Sequence, residues 1–468
     1  MISQVRRSTE LGLIILAAII TAGAYVLAAL GRTSTLPANL APFLVIILGL
    51  LLVAHLATRA FAPGADGTLL PLAALLNGLG YVMIARVDKD LAGLQATWTF
   101  VGIGAYVATL LLVRRVPDLA RYKWTFALVG IVLLLLPFVP GVGFAAPDGA
   151  RLWVSVGPIN FQPGEFAKLA LALFFAAYLT ERRELLAAGT WKVGPFHLPE
   201  PRHLGPLFIA WGASLVVLVG QKDMGSSLLF FALFVVLLWV ATERVSWLAI
   251  GAVLFAAGSF VAWNVIANVQ DRVDVWLNPW QQRNGKGFQL VQSTFALAWG
   301  KLTGTGLGLG DPTRIPEVKN DFIFAAFGEE LGLLGGTALI VAYLLMVGSG
   351  LRIAIQAERT FEKLLATGLT TILGIQAFVI IGGVTRVVPL TGVPLPFVSY
   401  GGSSLLANYV LLALLMRIAD SSAQFSGLIP RRITWRQRRA ERRADKADAM
   451  AAAAQGHTAR TAAVGGPA

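Results

Sequence analysis

The chain reads as long apolar runs separated by short polar stretches. Twelve runs stand out, at roughly 11–30, 42–59, 68–86, 96–113, 124–140, 166–180, 205–221, 225–242, 246–267, 325–350, 365–386 and 399–418. Most are about 20 residues long, the length a helix needs to cross ~30 Å of hydrocarbon. Lipid offers a bare backbone no hydrogen bonds, so spanning segments are helices or closed barrels. The runs are continuous rather than alternating, which selects helices. The pattern predicts an all-α polytopic membrane protein of about twelve spans.

Two interruptions exceed a simple turn: 141–165 and 268–322. Ordinary connections are short, and long ones are usually functional or disordered. The second contains "QLVQSTFALAWGKL", which can form an amphipathic helix, so an ordered cap skimming the membrane is expected. The following "GTGLGLG" reads as a flexible turn. It is not a phosphate loop, because no strand precedes it and no Lys-Ser/Thr follows. The chain divides into 1–67 with two spans, 68–420 with ten spans and the long loop, and a basic tail, 421–468, expected to be disordered.

Composition agrees with the pattern. Hydrophobic residues make up 56% and charged residues 13%, against about 25% charged in soluble domains. With no cysteine there is no disulfide and no thiolate site. His55, His197, His203 and His457 lie far apart without metal-ligand spacing, so they read as isolated side chains and no metal site is named. The net charge of +13 raises nucleic acid as a partner, but in a membrane protein the distribution of charge decides. With the N-terminus inside, 25 of the 38 Lys and Arg fall on inner segments. The positive-inside rule then predicts both termini in the cytoplasm. The block "RRITWRQRRAERRADKADAM" fits anionic membrane lipid at about 1 kcal/mol per basic residue, not nucleic acid.

Charges inside or beside spans cost roughly 2.5–3.5 kcal/mol and tend to be functional. "FQPGEFAK" sets Glu165 and Lys168 on one helix face, with Glu165 suited to the N-terminal dipole. "QKDMGSS" places Lys222 and Asp223 in a very short turn, where they could pair with each other. Arg151 lies upstream, Glu329 and Glu330 stand at a span entry, and Arg386 at an outer end. Each could simply snorkel to the interface. For Asp223, Glu165 and Lys168, convergence on one outward-facing polar cavity is favoured. Such a cavity suits an anionic lipid-linked substrate, with cations for phosphate and carboxylates for hydroxyls or proton transfer.

"GARLWVSVGPINFQPGEFAKLALALFF", "QKDMGSSLL", "NPW…GKGFQLVQSTFALAWGKLTGTGLGLG", "NDFIFAAFGEELGLLG" and "PLTGVPLPFVSYGGSSLLANY" occur in order. Together they resemble the SEDS family, the RodA/FtsW/SpoVE group, over about residues 68–420. "LLPLAALLNGLGYVMIARVD" is most similar to the RodA branch, and two spans are added in front of the ten-span core. The resemblance implies a bacterial plasma-membrane enzyme that polymerises lipid II into peptidoglycan glycan strands for elongation or division. It also implies a class B penicillin-binding protein as partner. No cofactor is certain, and a divalent cation is left open.

The family's candidate base is an Asp of the long loop, in an "NPW-x-Asp-Pro" setting. Here Gln282 stands at that position, and Arg283 replaces the Pro. An amide cannot act as a general base near pH 7, and that help is worth about 10²–10⁴-fold. The family's "His-Thr-Asp-Phe" becomes Lys319-Asn320-Asp321-Phe322, and "QPSE" becomes Gln162-Pro163-Gly164-Glu165. Asp321 survives and is the expected substitute base among the loop's Asp271, Asp274, Asp311, Glu317 and Asp321. Expected substrate contacts are Arg151, Gln162, Glu165, Lys168, Lys222, Asp223, Gln289, Gln292, Ser399 and Ser403. Two other readings stand beside the enzyme: a non-catalytic SEDS scaffold for the penicillin-binding protein, and a flippase for lipid-linked precursor. Missing inverted repeats count mildly against the last.

Overall fold

The computed structural model describes residues 2–35, 40–144, 149–157, 159–188, 191–193, 196–198 and 201–426. The predicted disordered tail therefore lies almost wholly outside the described residues. Each of the twelve predicted runs coincides with a helix: α1 Ile2–Thr33, α2 Leu40–Phe61, α3 Leu69–Val87, α4 Lys89–Leu112, α5 Lys123–Leu135, α6 Gly164–Ala188, α7 Pro201–Gly220, α8 Met224–Thr242, α9 Ser246–Val265, α12 Ile323–Gln356, α13 Thr360–Val384 and α14 Gly402–Phe425. The long loop supplies α10, Ala267–Leu277, and α11, Phe288–Gly300, the second falling on the predicted amphipathic stretch. Among the described residues nine helices are long and apolar enough to span a membrane. Of the remainder, α2 and α7 hold shorter apolar helices, and α6 is charged toward both ends, with Glu165 and Lys168 near its start and Glu181, Arg182, Arg183 and Glu184 farther on. The fold is all-α and polytopic.

The centre is built by α6, α13 and α14, which bury residues on most of their circumference, with α3 and α8 burying about half or more of theirs. A helix apolar all round belongs inside a bundle. By contrast α9 buries only Trp247 and Gly251, and its apolar exterior suits lipid. Small residues set the close approaches, as in other membrane bundles. A Cβ at Gly80 would collide with the Val398 backbone, and one at Gly402 with the Trp98 ring.

The 141–165 segment forms a small antiparallel meander: β1 Gly143–Phe144, β2 Trp153–Val156 and β3 Ile159–Phe161. A second hairpin pairs β4, Trp191–Val193, with β5, Phe196–Leu198.

Three sequence expectations need correction. The tenth span is broken at Gly332, where φ is +66° and ψ −165°, so a short piece bearing Glu329 and Glu330 meets a long one. The glycine-rich stretch is not a flexible turn. Gly304, Gly306 and Gly308 take positive φ, and the stretch donates from Thr305 N to Glu329 O (2.9 Å), Gly306 N to Glu330 O (3.0 Å) and Gly308 N to Glu330 Oε2 (2.9 Å). Glycine supplies the left-handed backbone such packing demands. Nor is His55 isolated, since its Nδ1 lies 2.9 Å from Glu10 Oε1 in a buried pair between α1 and α2.

Replacing Gly80 with Leu should overpack the α3–Val398 contact and cost about 1–3 kcal/mol. Gly104→Leu, with nothing within 4 Å of its Cβ position, should be near neutral. Thermal unfolding in detergent, read by intrinsic tryptophan fluorescence, compares the two.

Candidate functional site

The residues between α13 and α14, 385–401, form neither helix nor strand but a run of turns and irregular backbone, and Pro389, Pro394 and Pro396 within it oppose a helix. This segment lies at the junction of two polar groups. One is a buried cluster. Lys168, one turn into α6, is 3% exposed and Glu165 1%. The Lys168 ammonium donates to Glu165 Oε1 at 2.9 Å and to Gln376 Oε1 at 3.1 Å. Gln376, on α13, donates in turn from Nε2 to Pro394 O at 2.7 Å. Asp223 caps α8, accepting from Ser226 N at 2.9 Å. Burial raises its carboxyl above the ordinary range; the Ser226 bonds and Lys168 oppose the rise, and Glu165 adds to it. Glu165, Lys168 and Asp223 thus converge, as the sequence suggested.

Lys222 and Asp223 do not pair. The short turn sets Lys222 in the left-handed region, φ +61°, and exposes it, while Asp223 turns inward. Lys222 instead approaches Gly149, and the neighbouring Arg151 N–H donates to Gln221 O at 3.2 Å. Exposed Arg151 and Lys222 are therefore brought to the same turn, next to buried Asp223. Gln162 and Ser403 also meet, the Gln162 N–H donating to Ser403 Oγ at 3.0 Å. That bond ties the meander to the first turn of α14.

The long loop bonds to the same segment. Arg272 of α10 donates from Nη1 to Leu390 O at 2.9 Å. Trp276 Nε1 donates to Arg386 O (3.0 Å), and Arg386 Nη2 to Trp276 O (3.1 Å). Ser399 Oγ donates to Asn320 O at 2.6 Å, and Tyr400 N to Lys319 O at 2.9 Å. Ser399 and Arg386 are struts in this arrangement. Asp321 and Arg272 both face Gly392, φ +76°, where a Cβ would lie 3.5 Å from Asp321 Oδ2 and 3.8 Å from the guanidinium. Burial pushes the Asp321 carboxyl up to about 7; Arg272 works against this and Glu317 with it. The side chain keeps some solvent access.

Gln282, Gln289 and Gln292 stand apart from both groups. Gln282 ends a 3₁₀ turn, Pro279–Gln282, packed on α11 through Trp280 and Phe295, whose ring centroids are 5.6 Å apart. Its carbonyl accepts from Gly285 N (2.9 Å) and Gly287 N (3.1 Å). Its partly exposed side chain makes no hydrogen bond among the described residues. Gln289 and Gln292 lie partly exposed on α11 beside its buried Leu290, Val291, Ser293 and Ala296. Asp271 is paired with Lys286 at 2.5 Å on the exterior. Among the described residues no group of three acidic or histidine side chains is placed to hold a metal ion.

Sequence reasoning missed Gln376, Arg272 and Gly392. A glutamine inside the apolar 365–386 run was a legible signal. The roles of Arg272 and Gly392 depend on contacts with the residues Leu390 and Asp321, far off in the chain.

Removing one partner of a buried ion pair costs about 3–5 kcal/mol because the other charge is stranded. Lys168→Met alone should therefore lower thermal stability sharply. Adding Glu165→Gln to it should recover most of the loss, as measured by melting of the detergent-solubilised protein.

The family model described as "Cell cycle protein", covering FtsW, RodA and SpoVE, matches residues 68–424. A relative in Mycobacterium tuberculosis, the peptidoglycan glycosyltransferase RodA, is 44% identical over 427 residues, covering 89% of this chain and 91% of that protein. A probable peptidoglycan glycosyltransferase FtsW of a Geobacter species is 33% identical over 373 residues, covering 76% and 97%. A chain from a solved peptidoglycan synthase complex, in which polymerisation and crosslinking are coordinated, superposes with a TM-score of 0.64 at 26% identity, covering 77% of this chain and 99% of its own. The chain belongs to the FtsW/RodA/SpoVE family and is close to RodA.

Proposed function

We propose that this protein is a peptidoglycan glycosyltransferase of the bacterial plasma membrane, which polymerises lipid II beside a class B penicillin-binding protein. The relatives' names and the synthase-complex neighbour support this reading. The observation that carries it locally is the 385–401 segment, bonded through Gln376 to the Lys168–Glu165 pair that Asp223 feels electrostatically, and meeting Asp321 and Arg272 at Gly392.

In the reaction the acceptor's 4-hydroxyl attacks the anomeric carbon of the donor. A C–O bond forms, the bond to the diphosphate breaks, and the hydroxyl proton passes to a base. Arg151 and Lys222, exposed at one turn, suit the departing diphosphate. Asp321 is our candidate base in place of the absent carboxylate at Gln282. A carboxyl poised near 7 is matched to proton abstraction at neutral pH. Gln289 and Gln292, on the partly exposed side of α11, suit sugar or peptide amides. The missing carboxylate at 282 favours one rival reading, a scaffold that binds the penicillin-binding protein without polymerising.

The placement of 25 of 38 Lys and Arg on one set of segments supports cytoplasmic termini. The cysteine-free chain makes this testable. A membrane-impermeant maleimide should label Gly285→Cys in intact cells and leave Arg115→Cys unlabelled.

The purified protein, with its partner and labelled lipid II, should give glycan ladders on a gel. Asp321→Asn should cut the rate by about 10²–10⁴-fold, and Gln282→Asp should raise it. Ladders that appear only after Gln282→Asp would establish the scaffold; labelled lipid II crossing liposomes without polymerisation would establish the flippase. Because Asp321 must be ionised to accept a proton, the rate should climb as pH rises through about 7, and Asp321→Asn should remove that limb. Stability should run the opposite way. The group's folded pKa is raised, so its contribution is full below the unfolded value near 3.8 and is lost as pH rises through about 7.

A further inference from the structure

The outer end of α1 meets the glycine-rich loop backbone to backbone. A Cβ on Gly31 would collide with the Leu307 carbonyl, and one on Gly308 with the Ala28 carbonyl. Beside this contact Ala24, Ala28 and Val82 form a small buried cluster, with Tyr25, Leu79 and Leu307 packed against it. Polar bonds continue the same seam. Arg32 Nη1 donates to Arg86 O at 3.0 Å, and Arg86 Nη2 to Gly310 O at 2.7 Å. Arg86 Nε lies 3.1 Å from Glu330 Oε1, and the other oxygen of Glu330 accepts from Gly308 N at 2.9 Å. The loop so held runs from the end of α11, which bears Gln289 and Gln292, toward Asp321. Yet α1 lies outside residues 68–424, the part matched by the family model.

We propose that the outer end of α1, through Gly31 and Arg32, is a positioning element for the extracytoplasmic cap: it seats the glycine-rich loop and, through it, α11 and Asp321. The coupling to the site rests on the glycosyltransferase reading; the seating of the loop does not. Backbone contact at Gly31 leaves no room for any side chain, so the seat is rigid where it is made. A displacement of about 1 Å in a catalytic constellation can cost about 10²-fold in rate.

Gly31→Leu, in the full-length protein, should unseat the loop while favouring helix in α1 itself. Gly23→Leu, on the same helix with nothing within 4 Å of its Cβ position, is the control. Hydrogen exchange followed by mass spectrometry should show amides of 302–310 exchanging about tenfold faster in Gly31→Leu, through easier local opening, and unchanged in Gly23→Leu. In the polymerisation assay the same variant should lose kcat with KM for lipid II little changed. Unchanged exchange over 302–310 in a folded Gly31→Leu protein would overturn the proposal. Faster exchange with unaltered kcat would confine α1 to holding the loop and overturn its link to the site. Wild-type protein without ladders would sink the glycosyltransferase reading alone, the exchange result standing by itself. If Gly31→Leu fails to fold, Arg32→Ala, which removes the bond to Arg86, should raise exchange in the same peptides by a smaller factor; no change there would count against the brace.

Discussion

A single buried ammonium organises one end of this bundle. Lys168 lies almost wholly out of water, and the desolvation of a charge is tolerable only with good partners. Its partners are Glu165, one turn back on α6, and the Gln376 amide of α13. Gln376 then donates from its amide nitrogen to Pro394 O. The need to satisfy one charge thus fixes α6 and α13 relative to each other, and fixes both to the segment that leads into α14. Asp223 adds a carboxyl within electrostatic reach, so the cluster holds two acids and one base in a low-dielectric setting. The Coulomb gain of such a group is offset by desolvation. Its geometric consequence is a segment anchored to α13 at Pro394.

That segment also receives the long loop. Arg272, Trp276, Asn320 and Lys319 all bond to backbone or side-chain atoms between Arg386 and Tyr400. The cap is therefore a fastened structure, and Asp321 is carried to Gly392 with Arg272 beside it. The 282 turn behaves differently. It is closed by the Gln282 carbonyl accepting from Gly285 and Gly287, and by Trp280 against Phe295. The side chain at 282 takes no part in that closure. An acid and an amide could therefore be exchanged there without disturbing the turn.

The second buried charge set, Glu330 with Arg86, serves the other flank. Glu330 is fully buried, and each of its oxygens has a positive or N–H partner. Positive-φ glycines bring the loop backbone close enough to supply those N–H groups. Glycine there serves approach and hydrogen bonding, which is why a stretch that reads as flexible is in fact firmly held.

The amino-acid pattern by itself determined the helices. Continuous apolar runs near the thickness of hydrocarbon leave the backbone no alternative, and each of the twelve predicted runs is a helix. It also marked Glu165, Lys168 and Asp223, because charges among apolar residues are conspicuous. The motifs placed the chain in its family. Tertiary structure alone decided the rest. Whether Lys222 pairs with Asp223 turned on the backbone of one short turn, where φ of +61° sends the two side chains apart. The break at Gly332, the packing of α1 on the glycine-rich loop, and the meeting of Asp321 with Arg272 at Gly392 join residues far apart in the chain or depend on backbone angles. Periodicity registers only neighbours within one element; contacts between distant segments are chosen by which buried charges and carbonyls must find partners once the bundle closes.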